Sequence, residues 1–228
     1  MNAENIMVAP SILSADFRNL EGEVRAVAEA GADMIHCDVM DGRFVPNITF
    51  GPMVVKAVGT CTERPLDVHL MISEPEKYIE AFAEAGASII TVHAEACTDL
   101  SSVLDQIRGA GAKAGVTVNP DHSIELFLEH LERIDQVLIM TVYAGFGGQS
   151  FLPDMTAKIR AVREAAQALG KNIDIEVDGG ITAETAQVCA RNGANVFVAG
   201  SYIYGADNYA ERIDAIRGGA RAGAGENH

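Results

Sequence analysis

The chain has 228 residues, 48% of them hydrophobic and 21% charged, and carries a formal net charge of -15 at pH 7. That length buries a sizeable core without disulfide or metal staples, and the balance is that of a globular protein. The acidic surface repels phosphate backbones and anionic lipid, which argues against nucleic acid and membrane surfaces as partners. A small phosphorylated molecule remains possible, because backbone amides bind phosphate locally.

In chain order, short β-rich apolar runs alternate with longer segments rich in Ala, Glu and Arg. "IMVAPSIL" precedes the helical "NLEGEVRAVAEAG"; then come "DMIHCDVM", "LDVHLMI", "EPEKYIEAFAEAG", "SIITVHA", "DLSSVLDQIRGAG", "KAGVTVN", "QVLIMTVY", "FLPDMTAKIRAVREAAQALG", "IDIEVDG", "TAETAQVCARNG" and "NVFVAG". "SEPE" and "TAET" read as N-terminal helix caps. The recurring "EAGAD", "EAGAS", "GAGAK" and "RNGAN" read as one repeated helix-to-strand turn, with Gly left-handed at the helix end. Eight strand–helix units of roughly 25–30 residues predict a single (β/α)8 TIM barrel over residues 1–228. A doubly wound open sheet competes less well, since such sheets usually have fewer strands. The stretch "GGARAGAGENH", residues 218–228, is expected to fray.

Cys37, Cys61, Cys97 and Cys189 stand apart with no C-x-x-C pair, as expected of free thiols in a reducing compartment. The start, "MNAENIMVAPSIL", lacks the basic head and long apolar run of a signal peptide. No stretch is apolar long enough to span a bilayer. The expected location is the cytoplasm.

Strand side chains alternate between faces. In "DMIHCDV", Ile35, Cys37 and Val39 face the surrounding helices, while His36 and Asp38 face the barrel interior. "LDVHLM" turns Asp67 and His69 inward, and "IDIEVDGG" does the same with Asp174, Glu176 and Asp178. Inward charges are costly unless paired or bound to a cation. His36, Asp38, His69 and Asp178 meet at the rim where the strands end, which is where such barrels assemble their chemistry. Two imidazoles and two carboxylates suit one divalent ion, Zn²⁺ first, with Fe²⁺, Mn²⁺ or Co²⁺ also compatible. A buried hydrogen-bonded network without metal would account for any one of the four alone. Asp67, Asp174 and Glu176 sit deeper, as structural polar layers or supports of the ligands.

Three glycine-rich ends follow: "YAGFGGQSF", "DGGI" and "AGSYIY". Such ends make tight turns, and they also let backbone N–H groups approach an anion. Gly179, Gly180, Gly200 and Ser201 fall where many of these barrels bind phosphate. Met40, Met71 and Met140 lie at strand ends of the same rim. Methionine is usually core filler, but here it offers an apolar pocket lining.

These stretches together resemble the ribulose-phosphate 3-epimerase family over almost the whole chain, through "APSILSADF", "HCDVMDGRFVPNITFGP", "DVHLMI", "GFGGQSF", "EVDGGI" and "VAGSYIY". The run "DVMDGRFVPNITFGP" is long and highly specific. The resemblance implies a (β/α)8 barrel that interconverts D-ribulose 5-phosphate and D-xylulose 5-phosphate by inverting carbon 3 through an enediolate. It implies a divalent metal on His36, Asp38, His69 and Asp178, with Asp38 and Asp178 as the acid–base pair and no organic cofactor. It also implies substrate contacts from Ser11, His69, Gly145, Phe146, Gly147, Gly148, Asp178, Gly179, Gly180, Gly200 and Ser201, and a homo-oligomer, dimer or hexamer. The chain departs from the family pattern twice. Tyr143-Ala144 stand where Asn-Pro is usual before "GFGGQ", and His122-Ser123 stand where Thr-Pro is usual after "NP".

Three other functions compete. A 3-epimerase of a hexulose 6-phosphate, such as D-allulose 6-phosphate, keeps the same metal set. A catalytically silent sugar-phosphate-binding barrel would need a lost ligand or acid–base group. Phosphate-binding aldolase and decarboxylase barrels are the third; a Schiff-base aldolase needs an inward lysine at a strand end, whereas Lys56, Lys77, Lys113, Lys158 and Lys171 fall on helices or strand starts.

Overall fold

The computed structural model describes residues 5–225. Eight strands alternate with helices: β1 (Met7–Pro10), β2 (Ile35–Met40), β3 (Leu66–Met71), β4 (Ala87–His93), β5 (Lys113–Val118), β6 (Gln136–Met140), β7 (Asp174–Asp178) and β8 (Val196–Ala199). The helices are α1 (Leu20–Glu29), α2 (Pro52–Gly59), α3 (Ile79–Glu84), α4 (Leu100–Gly109), α5 (Glu125–Leu128), α6 (Thr156–Ala168), α7 (Ala183–Arg191), α8 (Ser201–Tyr204) and α9 (Tyr209–Gly225). All strand pairs are parallel, in the order β1-β8-β7-β6-β5-β4-β3-β2. A bridge between Ser11 and His36 closes the ring between its first two strands. The result is a (β/α)8 TIM barrel.

The alternation of each strand divides the core in two. Ile35, Cys37, Val39, Val68, Leu70, Ile175 and Val177 pack outward among Val24, Val55, Phe82, Ile107 and Ile159 of the helices. Ala9, Met34, Ile89, Val196 and Val198 form a second, smaller apolar cluster, of which Val198 reaches the mouth of the barrel. The interior also holds a polar group, with His36, Asp38, Asp67, His69, Gln136 and Glu176 all buried.

The repeated helix-to-strand turn is built as its sequence predicts. Gly31, Gly86, Gly111 and Gly193 each have φ between 89° and 117°, a conformation that L side chains rarely adopt. Thr182 caps α7 in a reciprocal pair with Thr185. "SEPE" does not cap as expected: Glu74 takes a left-handed conformation at φ 54°, and the Ser73 N–H donates to Asp41 Oδ2 over 2.8 Å. The carboxylate that serves this turn comes from the loop after β2.

The tail also departs from expectation. Residues 218–225 do not fray but continue α9, with Ala220, Gly223 and Ala224 buried. Glycine allows this helix to lie against α7, since a Cβ at Gly219 or Gly223 would run into the carbonyl oxygen of Ala183 or Gln187. Residues 226–228 lie outside the described residues.

Candidate active site

Register brings the predicted rim together. Asp38 pairs with His69, Met40 with Met71, and Met140 with Asp178. The mouth of the barrel holds a cavity of about 460 Å³. Asp38 and Asp178 reach its floor, and Met40, Met71 and Met140 line it. His36 and His69 lie beneath that floor, fully buried. Ser11, Gly145, Phe146, Gly147, Gly148, Gly179, Gly180, Gly200 and Ser201 all border the same cavity.

The floor is held by a dense polar network. His36 Nδ1 donates to Asp67 Oδ2 over 2.6 Å, and Gln136 Nε2 donates to Asp67 Oδ1 and Glu176 Oε2 over 3.1 and 2.8 Å. Asp38 Oδ2 accepts a 2.5 Å hydrogen bond from Ser11 Oγ, and Asp38 Oδ1 lies 3.3 Å from His36 Nε2 and 3.2 Å from His69 Nδ1. Asp67 and Glu176 therefore form the supporting layer expected of them. Asp174 does not join it; it is half-buried at the barrel foot, where Asn195 Nδ2 donates to its Oδ1.

Burial and charge set the proton affinities. Burial works against the charge of Asp38, but the neighbouring His36 outweighs it and holds this carboxyl well below the usual range. Asp178 has burial and the neighbouring Asp38 charge both against its ionisation, and is pushed up to about 7. Burial also opposes charge on His36, yet Asp38 and Asp67 raise it well above an ordinary imidazole. His69 is lowered to about 4, chiefly by burial. Burial and the Asp67 charge raise Glu176 well above the usual carboxylate range.

Four carboxyl groups thus crowd two imidazoles where little water can screen them. The ligand atoms of His36, Asp38, His69 and Asp178 lie within 4.8 Å of one another, a set that could hold a metal ion. Two nitrogens and two carboxylate oxygens fit a borderline divalent cation. The Nδ1–H of His36 is already committed to Asp67, the outer support that orients a ligating imidazole.

The cavity wall is bare where the glycines lie. A Cβ on Gly179 would strike Val142, and one on Gly180 would strike the Phe151 backbone; both residues have positive φ. The loop over the mouth is tied down at several points. Gln149 Nε2 donates to the carbonyls of Tyr143 and Phe146, and Asn47 Nδ2 donates to that of Gly145. The Ala144 N–H donates to Asn119 Oδ1 over 3.2 Å, a bond that proline at this position could not make. The other departure, His122-Ser123, lies at the surface, with His122 Nδ1 at 3.2 Å from Asp121 and 4.0 Å from Glu95.

Sequence reasoning missed His93, Glu95, Asn119 and Gln136. The alternation of "SIITVHA" already turned Ile89, Thr91 and His93 to one face, and that was the available signal. A lone histidine on an otherwise apolar strand does not reveal that another imidazole lies beside it.

Comparison with known proteins agrees with this architecture. The model of the "Ribulose-phosphate 3 epimerase family" matches residues 7–204. The chain is 53% identical to ribulose-phosphate 3-epimerase of Synechocystis over 96% of both chains. It is 51% identical to the enzyme of that name from Bacillus subtilis, over 93% of this chain and 99% of the relative. It is 49% identical to the chloroplastic ribulose-5-phosphate-3-epimerase of Arabidopsis thaliana, over 96% of this chain and 79% of the relative. Among solved structures, 3-keto-L-gulonate-6-phosphate decarboxylase of Vibrio cholerae superposes with a TM-score of 0.70 at 16% identity, covering 95% of this chain and 97% of that one. The 3-hexulose-6-phosphate synthase of Salmonella typhimurium gives 0.67 at 19%, covering 98% and 100%. At those identities the two structures share the fold alone. The family-model match and the near full-length identities together place this chain in the ribulose-phosphate 3-epimerase family.

Proposed function

We propose that the protein is a metal-dependent 3-epimerase that inverts carbon 3 of D-ribulose 5-phosphate to give D-xylulose 5-phosphate. The observation that carries this reading is the pair Asp38 and Asp178, on strands β2 and β7, both facing one cavity. The proton on carbon 3 is acidic because the carbon adjoins a ketone. Its removal leaves an enediolate, and its return from the opposite face inverts the centre. One carboxylate takes the proton while the other carboxyl gives one, and the roles exchange in the reverse direction. The surroundings of the two groups push their proton affinities apart, with Asp38 held low and Asp178 raised to about 7. The pair resets by exchange with water.

His36, Asp38, His69 and Asp178 would hold one divalent cation, Zn²⁺ first, supplying Lewis-acid stabilisation of the charge developing on oxygens 2 and 3. Ser11 fixes Asp38 by its 2.5 Å hydrogen bond. Met40, Met71 and Met140 keep the reacting atoms away from bulk water. Gly179, Gly180, Gly200 and Ser201 take the phosphate, while Gly145–Gly148 with Phe146 cover it. No organic cofactor enters this chemistry. Among the described residues no helix is long and apolar enough to cross a membrane. A cytoplasmic location and a homo-oligomer, dimer or hexamer, belong to the same reading; light scattering in solution would count the subunits.

The hexulose 6-phosphate reading gives way because relatives at 49–53% identity are named for the ribulose phosphate. The silent barrel gives way because both carboxylates and both imidazoles are present. Replacing Asp38 or Asp178 by Asn should lower kcat by about 10²–10⁴-fold while leaving the fold intact. Wild-type turnover of D-ribulose 5-phosphate by either variant would contradict the acid–base assignment.

A further inference from the structure

His93 ends β4 and has no part in the site described so far, yet it touches the proposed metal set. Its ring is fully buried and stacks on His69, with centroids 5.0 Å apart and planes 21° from parallel. Phe44 closes the other side, 4.7 Å away. His93 Nε2 lies 2.9 Å from His69 Nε2, and His93 Nδ1 lies 3.1 Å from Glu95 Oε1. The same Glu95 oxygen accepts the Asn119 backbone N–H over 2.9 Å and the Asn119 Nδ2–H over 3.1 Å. Asn119 Oδ1 in turn accepts the N–H of Ala144, in the loop over the cavity.

These partners order the hydrogens. A backbone N–H can only donate, so Glu95 Oε1 is an acceptor. That oxygen already accepts two N–H bonds from Asn119, so its contact with His93 Nδ1 is a further acceptance. His93 Nδ1 therefore carries a hydrogen. Two ring nitrogens 2.9 Å apart share one hydrogen between them. On the metal reading His69 ligates through Nδ1, the nitrogen that faces Asp38, so its hydrogen sits on Nε2 and His93 Nε2 accepts it. His69 Nδ1 is then a lone pair, 3.2 Å from Asp38 Oδ1 and facing the metal set. A ligating imidazole needs that lone pair, and the hydrogen bond made by its other nitrogen decides where it lies.

We infer that His93, fixed by Glu95 and Asn119, is a positioning residue that holds His69 in its Nε2–H tautomer with Nδ1 free to ligate. The inference rests on the metal reading of the four-residue set. It ties that set through one continuous chain of hydrogen bonds to the loop at Ala144.

The test uses the full chain with ¹⁵N-labelled histidine, in the wild type, His93→Leu and His93→Gln. Leucine removes the acceptor, whereas the glutamine oxygen can replace it. Long-range ¹H–¹⁵N spectra read the His69 tautomer, chelator competition reads Co²⁺ affinity, the visible spectrum reads Co²⁺ geometry, and circular dichroism reads the melting temperature. The expected result is a hydrogen on His69 Nε2 in the wild type. His93→Leu should lose it, bind Co²⁺ about 10–100-fold more weakly and shift the visible bands, with most of each recovered in His93→Gln. A hydrogen on His69 Nδ1 in the wild type overturns the inference. So does a His93→Leu protein with wild-type Co²⁺ affinity and spectrum, or an equal loss in both variants that follows the melting temperature. A wild type that takes up no Co²⁺ overturns the metal reading instead, and the His69 tautomer then decides the inference alone.

Discussion

Glu95 is a carboxylate kept ionised inside the barrel mouth by three donors on one oxygen: His93 Nδ1, the Asn119 N–H and Asn119 Nδ2. Burial alone would raise its proton affinity, but the His93 ring and the Asn119 N–H outweigh it and lower it from 4.5 to about 2. A group whose folded value is depressed stabilises the fold fully above its unfolded value and loses that contribution as pH falls. The window here therefore opens near pH 4.5 and closes near 2. Urea unfolding at a series of pH values should show wild-type stability falling more steeply through that window than the stability of Glu95→Gln. Parallel slopes would contradict the depressed value. At this scale the sequence was legible wherever polar and apolar residues alternate. "IHCDVM" turned His36 and Asp38 inward by period alone, and register then set Asp38 beside His69. His93 was not legible, because its partner comes from another strand and the contact exists only once β3 and β4 pair.

At the scale of elements, the loops and helix ends carry the information that composition hides. The repeated Ala-Gly and Asn-Gly turns were readable because only glycine takes their backbone conformation cheaply. The end of α9 was misread for the same reason: glycine suggested fraying, while tertiary packing overrode its propensity. Two neighbouring glycines now separate those effects. Gly218 is exposed with nothing within 4 Å of an added Cβ, so Gly218→Ala should stabilise by about 0.5–1 kcal/mol through helix propensity. At Gly219 the added Cβ meets the Ala183 carbonyl, so Gly219→Ala should destabilise by about 1–3 kcal/mol as α7 and α9 are forced apart. Equilibrium denaturation of the two variants measures both. Equal shifts of the same sign would mean that α9 does not pack as described.

For the whole molecule, the net charge of -15 bears on how the substrate arrives. A phosphorylated ketose is an anion approaching an acidic surface, so long-range attraction does not deliver it and local backbone groups must hold it. Raising salt from about 0.02 to about 0.2 M, which shortens the Debye length roughly threefold, should therefore lower or maintain KM. A KM that climbs steeply with salt would indicate electrostatic steering by a basic patch. The barrel itself was the most legible feature, because eight apolar runs at a regular spacing leave few other ways to bury them. What the sequence could not display is the shared floor, where residues from β2, β3, β6 and β7 form one hydrogen-bonded layer.

The central claim is that Asp38 and Asp178, at the top of this layer, move a proton on and off carbon 3. The most direct measurement is proton NMR of D-ribulose 5-phosphate incubated in D₂O with the protein loaded with a divalent metal. The account predicts D-xylulose 5-phosphate with deuterium at carbon 3. Metal-loaded protein that yields neither product nor exchange at that carbon would contradict it.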